Sequence, residues 1–234
     1  MSKRSLMKTI FNKGRKFKGL SNTQAKSVAK IAKQSIQTVC EKKHFGFYDE
    51  DQELFHNKVD YLDKWLECKQ GVADPDDTTS GVRNVRLGDE IYLHNINIRF
   101  WLSNKNDRPN CMYKLFLFWY DSGTTLSDAV CFFTQKNKML DRYNSESISV
   151  IDSKTIFSGA SYSGNNDLLR EHSYLCTLNG KWKNGRKITY DEGGTVPKKR
   201  NIGTMVVAYD AFGTLQSDNI ASYAYNGLVT ITDP

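Results

Sequence analysis

The sequence predicts an all-β fold, an eight-stranded Greek-key sandwich or jelly roll, with a basic helix at its N-terminal end. Three observations carry that prediction. Beyond residue 43 the apolar residues recur at period two or in short unbroken runs, the patterns of half-buried and fully buried strands. About eight such segments follow one another with long, uneven connections, which favours a Greek key or jelly roll over a plain meander. No internal repeat is visible, so a propeller or solenoid is disfavoured.

The first element is set apart by charge. Residues 1–43 hold twelve Lys and Arg against one acid, Glu41, a net of +11, while the remaining residues hold 21 against 25, a net of −4. A basic segment on a mildly acidic body suggests a polyanion partner for one part of the chain only. Residues 1–20 mix basic residues with Gly14 and Gly19 at no sustained period and read as a flexible basic arm. Ser21-Asn22-Thr23-Gln24 has the form of a capping box. Behind it Ala25, Val28, Ala32, Ile36 and Val39 form one apolar stripe, with Lys26, Lys30 and Lys33 mostly opposite. The helix expected over 21–40 is about 19 residues, roughly 28 Å long.

The β domain is expected over 41–234. "KHFGFYDE" is a short aromatic strand; residues 51–70 read either as a strand with a turn or as a short helix; 73–81 is a loop by composition. "VRLGDEIYLHNINIRFWLS" alternates, with Ile91, Leu93, Asn95, Asn97 and Arg99 on one parity and Tyr92, His94, Ile96, Ile98 and Phe100 on the other. "CMYKLFLFWYD" is apolar throughout, as a strand buried on both faces must be. "TLSDAVCFFTQKNKMLDRYN" reads as a short helix in a connection, with Ser127-Asp128 at its start. Five further strands follow, separated by turn signals at Asn179-Gly180, Asn184-Gly185, Gly193-Gly194 and Asn226-Gly227.

Composition narrows the function classes. The five cysteines, Cys40, Cys68, Cys111, Cys131 and Cys176, are odd in number and form no C-x-x-C pair. That argues against a zinc site and a disulfide framework and for reduced, buried thiols. No apolar run of 18 residues could span a membrane, and lysines interrupt every stretch that could be a signal peptide. The basic, acid-poor start has the look of a mitochondrial presequence, and its clusters also fit a nuclear localisation signal.

No catalytic constellation stands out. Residues 180–187 approach a phosphate-binding loop, but Arg186 and Lys187 stand where the lysine and the magnesium-binding hydroxyl belong. Gly159-Ala160-Ser161-Tyr162-Ser163 fails the nucleophile elbow at its last position. His44, His56, His94 and His172 are scattered, and Asp49-Glu50-Asp51 and Asp76-Asp77 read as solvated loop acids. The chain reads as a non-enzyme.

Taken together, the lysine-rich helix running into "EKKHFGFY", the "GDEI" turn into a long alternating strand, "YKLFLFWYDSGTT", "LSDAVCFF" and the closing "GTMVVAYDAFG…ITDP" resemble one family. It is the coat protein of the satellite tobacco necrosis virus type, a type also found in small circular single-stranded DNA viruses. The resemblance implies a jelly-roll shell domain over 41–234, sixty copies in a T=1 icosahedral shell, and an N-terminal arm and helix turned inward. The genome would be held, as single-stranded DNA or RNA, by Lys3, Arg4, Lys8, Lys13, Arg15, Lys16, Lys18, Lys26, Lys30 and Lys33. It also implies calcium at subunit contacts, with Asp233 as a ligand, and residence in the virion and the host cytoplasm or nucleus. The chain exceeds the family pattern at 49–82 and 160–200. A viral movement or nuclear-shuttle protein with "FLFWY" as a stacking platform fits the same layout, as does a carbohydrate-binding jelly roll using Trp182 in a turn.

Overall fold

A computed structural model describes residue 19 and residues 21–39, 42–72, 84–157, 173–212 and 215–233. The chain divides into two compact units, Met1–Glu41 and Lys42–Pro234. The first contains helix α1, Asn22–Val39. The capping box forms as expected: Ser21 N–H donates to Gln24 Oε1 at 2.9 Å, and Gln24 N–H to Ser21 Oγ at 3.3 Å.

The second unit holds strands β1 (Lys42–Phe55), β2 (Val59–Leu62), β3 (Lys69–Gln70), β4 (Val85–Arg86), β5 (Glu90–Asn104) and β6 (Cys111–Asp121). Helix α2 (Asp128–Cys131) comes next, then β7 (Ser149–Phe157), β8 (Ser173–Thr189), β9 (Arg200–Asp210) and β10 (Asn219–Thr232). One four-stranded sheet runs β1-β10-β5-β8 and the other β2-β9-β6-β7, while β3 and β4 make a small parallel pair. The eight long strands nest: first pairs with last, second with second-last, and so inward to β6 with β7, all antiparallel. This is one long hairpin folded over on itself, the jelly roll.

The core lies between the sheets. On β5 the inward side chains are Ile91, Leu93, Ile96, Ile98, Phe100 and Leu102, all fully buried. The parity therefore switches once, because the register shifts between Leu93 and Asn95, where His94 is the extra residue against β10 and stands opposite the bulged residues 182–185 of β8. The expected single alternation across this strand is corrected accordingly. Strand β6 is buried on both faces, as predicted. Tyr113, Leu115, Leu117 and Trp119 face the inner core, and Phe116, Phe118 and Tyr120 join an outer cluster with Cys131, Phe132, Ile148, Met205 and Val207.

The outer cluster exists because residues 122–148 lie over the β2-β9-β6-β7 sheet. Lys114 reaches out from β6 to the carbonyls of Lys138, Met139 and Asp141 at 2.9–3.3 Å. The buried Lys138 ammonium pairs with Asp128 at 3.0 Å, and Asn57 bonds the backbone of Lys136 and Lys138. The helix expected in this connection is only four residues long, and Ser127, at its N-cap, makes no side-chain hydrogen bond to it. A lysine clasp and loop hydrogen bonds, rather than helix propensity, hold the segment. Residues 51–70 resolve as strand and turn: β1 continues to Phe55 past a left-handed Asp51, and β2 follows.

Three of the four glycine turn signals are corrected. Asn179-Gly180 and Asn184-Gly185 both lie within β8, and Asn226-Gly227 within β10. Their glycines save space: a Cβ on Gly180 would meet Trp182 at 2.8 Å, and one on Gly227 would overlap the Trp65 ring. Gly193-Gly194 is a true turn, with Gly193 at φ +71 and Gly194 N–H bonded to Asp191 O. Nearby, fully buried Arg86 donates to the carbonyls of Gly88, Asp191 and Gly194 and lies over the Tyr190 ring at 4.4 Å.

Trp65 cannot yield to a new methyl group at Gly227, because it is 2% exposed and its indole N–H is bonded to Leu62 O. Gly227→Ala is therefore expected to lower unfolding free energy by about 1–3 kcal/mol. Gly46→Ala, at an open position of the neighbouring strand, should stay within about 0.5 kcal/mol. Urea denaturation of the two variants decides it; equal midpoints would refute the packing argument.

Candidate nucleic-acid interface

Helix α1 contains no acidic residue, and its lysines recur at steps of four and three, which puts them on one stripe. Lys26 and Lys30 are exposed, and α1 also carries Lys33. Lys3, Arg4, Lys8, Lys13, Arg15, Lys16 and Lys18 lie outside the described residues, as do Cys40 and the elbow-like stretch at 159–163. On the apolar stripe Val28 is 43% exposed, and neighbouring Ile31 is 61% exposed. A lysine stripe of this kind neutralises phosphates and releases counterions without reading sequence.

Within the β unit, the phosphate-loop resemblance dissolves. Residues 182–185 bulge from β8 opposite His94, and Arg186 stacks on Trp119 at 4.1 Å. Trp182 is not presented in an exposed turn but packs edge-on against Trp119 with centroids 5.5 Å apart, which removes the expected sugar-stacking residue. "FLFWY" is core as well, so it is no platform. Cys68, Cys111, Cys131 and Cys176 are free and buried, and burial pushes their thiols up to about 11 or 12.

Asp233 is buried, and its carboxylate accepts from Lys43 Nζ at 2.9 Å and from the backbone N–H groups of Leu87 at 2.6 Å and Gly88 at 3.4 Å. An ammonium and two N–H donors complement an anion, so these surroundings do not fit a divalent cation. Among the described residues no group of three or more His, Cys, Asp or Glu is placed to hold a metal, and no helix is long and apolar enough to cross a membrane. His172 and Asp76-Asp77 lie outside the described residues. His44 and His94 bond to Thr230 and Thr232.

One group of exposed aromatic and cationic side chains that sequence reasoning did not single out lies on the outer face of the β1-β10-β5-β8 sheet. In-register pairing aligns Tyr48, Asn226, Arg99 and Thr177 in one row, and Ala224, Trp101 and Leu175 in the next. Trp101 is 59% exposed and Leu175 is 77% exposed. The signal was in the sequence, since Arg99 and Trp101 share a parity that the buried Ile98 and Phe100 do not.

No protein-family model matches the chain, and no curated protein is similar to it. Among solved structures, a protein of Desmodium yellow mottle tymovirus aligns over 83% of this chain and 89% of its own, at 9% identity and a TM-score of 0.34. The infectious bursal disease virus particle aligns over 83% of this chain at 6% identity and a TM-score of 0.29. A subviral particle of the same virus aligns over 82% at 8% identity and 0.28. The chain spans about a third of the length of those last two proteins (32% and 33%). Likenesses this loose carry no argument about this protein.

His56 offers a pH probe of the β unit. It is buried, its Nδ1 accepts the Asp210 N–H at 3.1 Å, and its ring lies against Tyr209. Burial lowers its pKa below 6.5; Arg108 adds to that, and Asp210 and Asp218 oppose it. The unfolded chain thus binds the proton more readily, so the stability from neutral His56 is present above pH 6.5 and lost as pH falls through the folded-state pKa. Urea midpoints at pH 7 and pH 5 should fall less for His56→Gln than for the wild type. Equal losses would assign the acid sensitivity elsewhere.

Proposed function

We propose that this protein is a viral coat protein that self-assembles into a small closed shell and packages single-stranded DNA or RNA through its N-terminal segment. The observation that carries the reading is the division of charge, +11 over residues 1–43 against −4 over the rest, coupled to a complete jelly roll in the second unit. A mildly acidic wall attracts a genome far less than an acid-free lysine helix does. The proposed shell has sixty subunits in T=1 symmetry, which would gather about 660 N-terminal charges in one lumen. Calcium bridging between subunits, expected from the resemblance, enters this proposal without Asp233, whose partners are Lys43 and two backbone amides. Virion residence follows from the same reading.

Light scattering and negative-stain microscopy of the full chain test the proposal, with absorbance at 260 against 280 nm reporting packaged nucleic acid. Uniform closed particles that contain nucleic acid are expected. Replacing Lys26, Lys30 and Lys33 together by Gln should leave particles intact while lowering their nucleic-acid content and flattening the salt dependence of binding by up to about three units of slope. A monodisperse small oligomer that binds nucleic acid across buffers would overturn the coat reading in favour of a movement or nuclear-shuttle protein.

A further inference from the structure

We propose that the open outer face of the β1-β10-β5-β8 sheet is a second contact surface for single-stranded nucleic acid, stacking bases on Trp101 and holding phosphates on Arg99 and Lys181. The inference rests on the polyanion-binding reading above and extends it from the N-terminal segment to the β unit.

The register places the necessary groups together. Four successive rows run across the sheet: His44–Thr230–Asn95–Lys181, Gly46–Leu228–Asn97–Asn179, Tyr48–Asn226–Arg99–Thr177 and Ala224–Trp101–Leu175. Same-face neighbours along one strand are about 6.8 Å apart, so Arg99 and Trp101 are adjacent on this face. None of the fifteen paired positions is acidic, although the chain beyond residue 43 has 25 acids against 21 bases. The acids of this sheet lie on its edge strand β1, at Asp49, Glu50, Asp51 and Glu53, with the Glu50-Asp51 bulge beside the Ala224 row, and on β5 at Glu90, which is bound to Lys187 at 2.7 Å. Among the described residues Arg99 and Lys181 have no carboxylate partner, so their charge is uncompensated.

An exposed indole beside an exposed Leu175 offers a flat apolar seat that any base can occupy, and the adjacent guanidinium stacks or meets a phosphate. Asn97 donates to Asn179 at 2.5 Å, an amide ladder with capacity left for base edges. The other sheet is not available for such a role, because residues 122–148 cover it. A second copy docking by this same face would set Arg99 and Lys181 against like charges, which disfavours self-association here.

Photocrosslinking of the full chain to an oligothymidylate carrying 5-iododeoxyuridine, followed by peptide mapping, tests the surface directly. Adducts on the β5 peptide containing Trp101 are expected, beside those in the N-terminal segment. Trp101→Leu should weaken binding at high salt, where the lysine contacts are screened, by about tenfold. Arg99→Gln should lower the salt slope by about one. Both positions are on the surface, and unchanged urea midpoints would certify the fold. Crosslinks confined to residues 1–43 with unaltered Trp101→Leu binding would overturn the inference and leave the coat reading standing. Loss of particles in Trp101→Leu with normal oligonucleotide binding would also overturn it, by making the face a protein contact. Trp101 adducts in a chain that never forms particles would support the surface and sink the coat reading alone.

Discussion

The structure depends on burying one continuous apolar layer between two four-stranded sheets, and most local features follow from that demand. Strands of 14, 15 and 17 residues must keep the correct face inward over their whole length. A strict period of two does not achieve this on β5, so the strand takes a bulge at His94 and re-aims its next four apolar side chains at the core. Gly227 leaves its space to Trp65, Gly180 to Trp182, Ile151 and Ile96, and Gly185 to His94. Residues that look like turn formers are, in this layer, the places where a neighbour needs the volume.

The same demand explains which parts of the fold were legible. Strand β6 was readable because a segment covered on both sides has no polar face to interrupt its apolar run. The capping box was readable because its hydrogen bonds are local, between residues three apart. The β5 bulge was not, because its cause is the pairing with β8 and β10, more than 80 residues away in sequence. Asn-Gly dipeptides predict hairpins when the glycine is chosen for backbone conformation, and Gly227 is instead chosen for the Trp65 ring. The order of the strands was not legible either. Nesting pairs β1 with β10 across the chain, and no local pattern encodes partners that distant. The lysine helix was legible as a helix from its capping box and period, while the sheet face required register.

The two sheets bury their outer sides differently, and this gives the molecule two distinct faces. Over β2-β9-β6-β7 the chain lays its own connection, held by Lys114 on three carbonyls and by the Lys138–Asp128 pair. Such buried lysines anchor by saturating their donors, and desolvation lowers the Lys114 pKa while Asp141 counters it. Over β1-β10-β5-β8 none of the described residues plays that part, and Trp101 and Leu175 stay in solvent. Exposed aromatic and aliphatic groups such as these are where a further binding partner gains apolar contact.

Helix α1 sharpens the argument from the other side. It is 18 residues long, with no acid in its first turn and no base in its last, so the helix dipole goes uncompensated by side chains. Its one charge pattern, Lys26 and Lys30 at i and i+4 with Lys33 beyond, is repulsive and lowers helix stability by a few tenths of a kcal/mol per pair. In proteins most helix stability comes from tertiary packing of an apolar face rather than from propensity. The capping box offsets part of the repulsion, and the exposed Val28 and Ile31 add little burial of their own. A polyanion along the lysines would relieve their mutual repulsion. If the helix packages nucleic acid as proposed, its stability therefore rises with the polyanion bound to it.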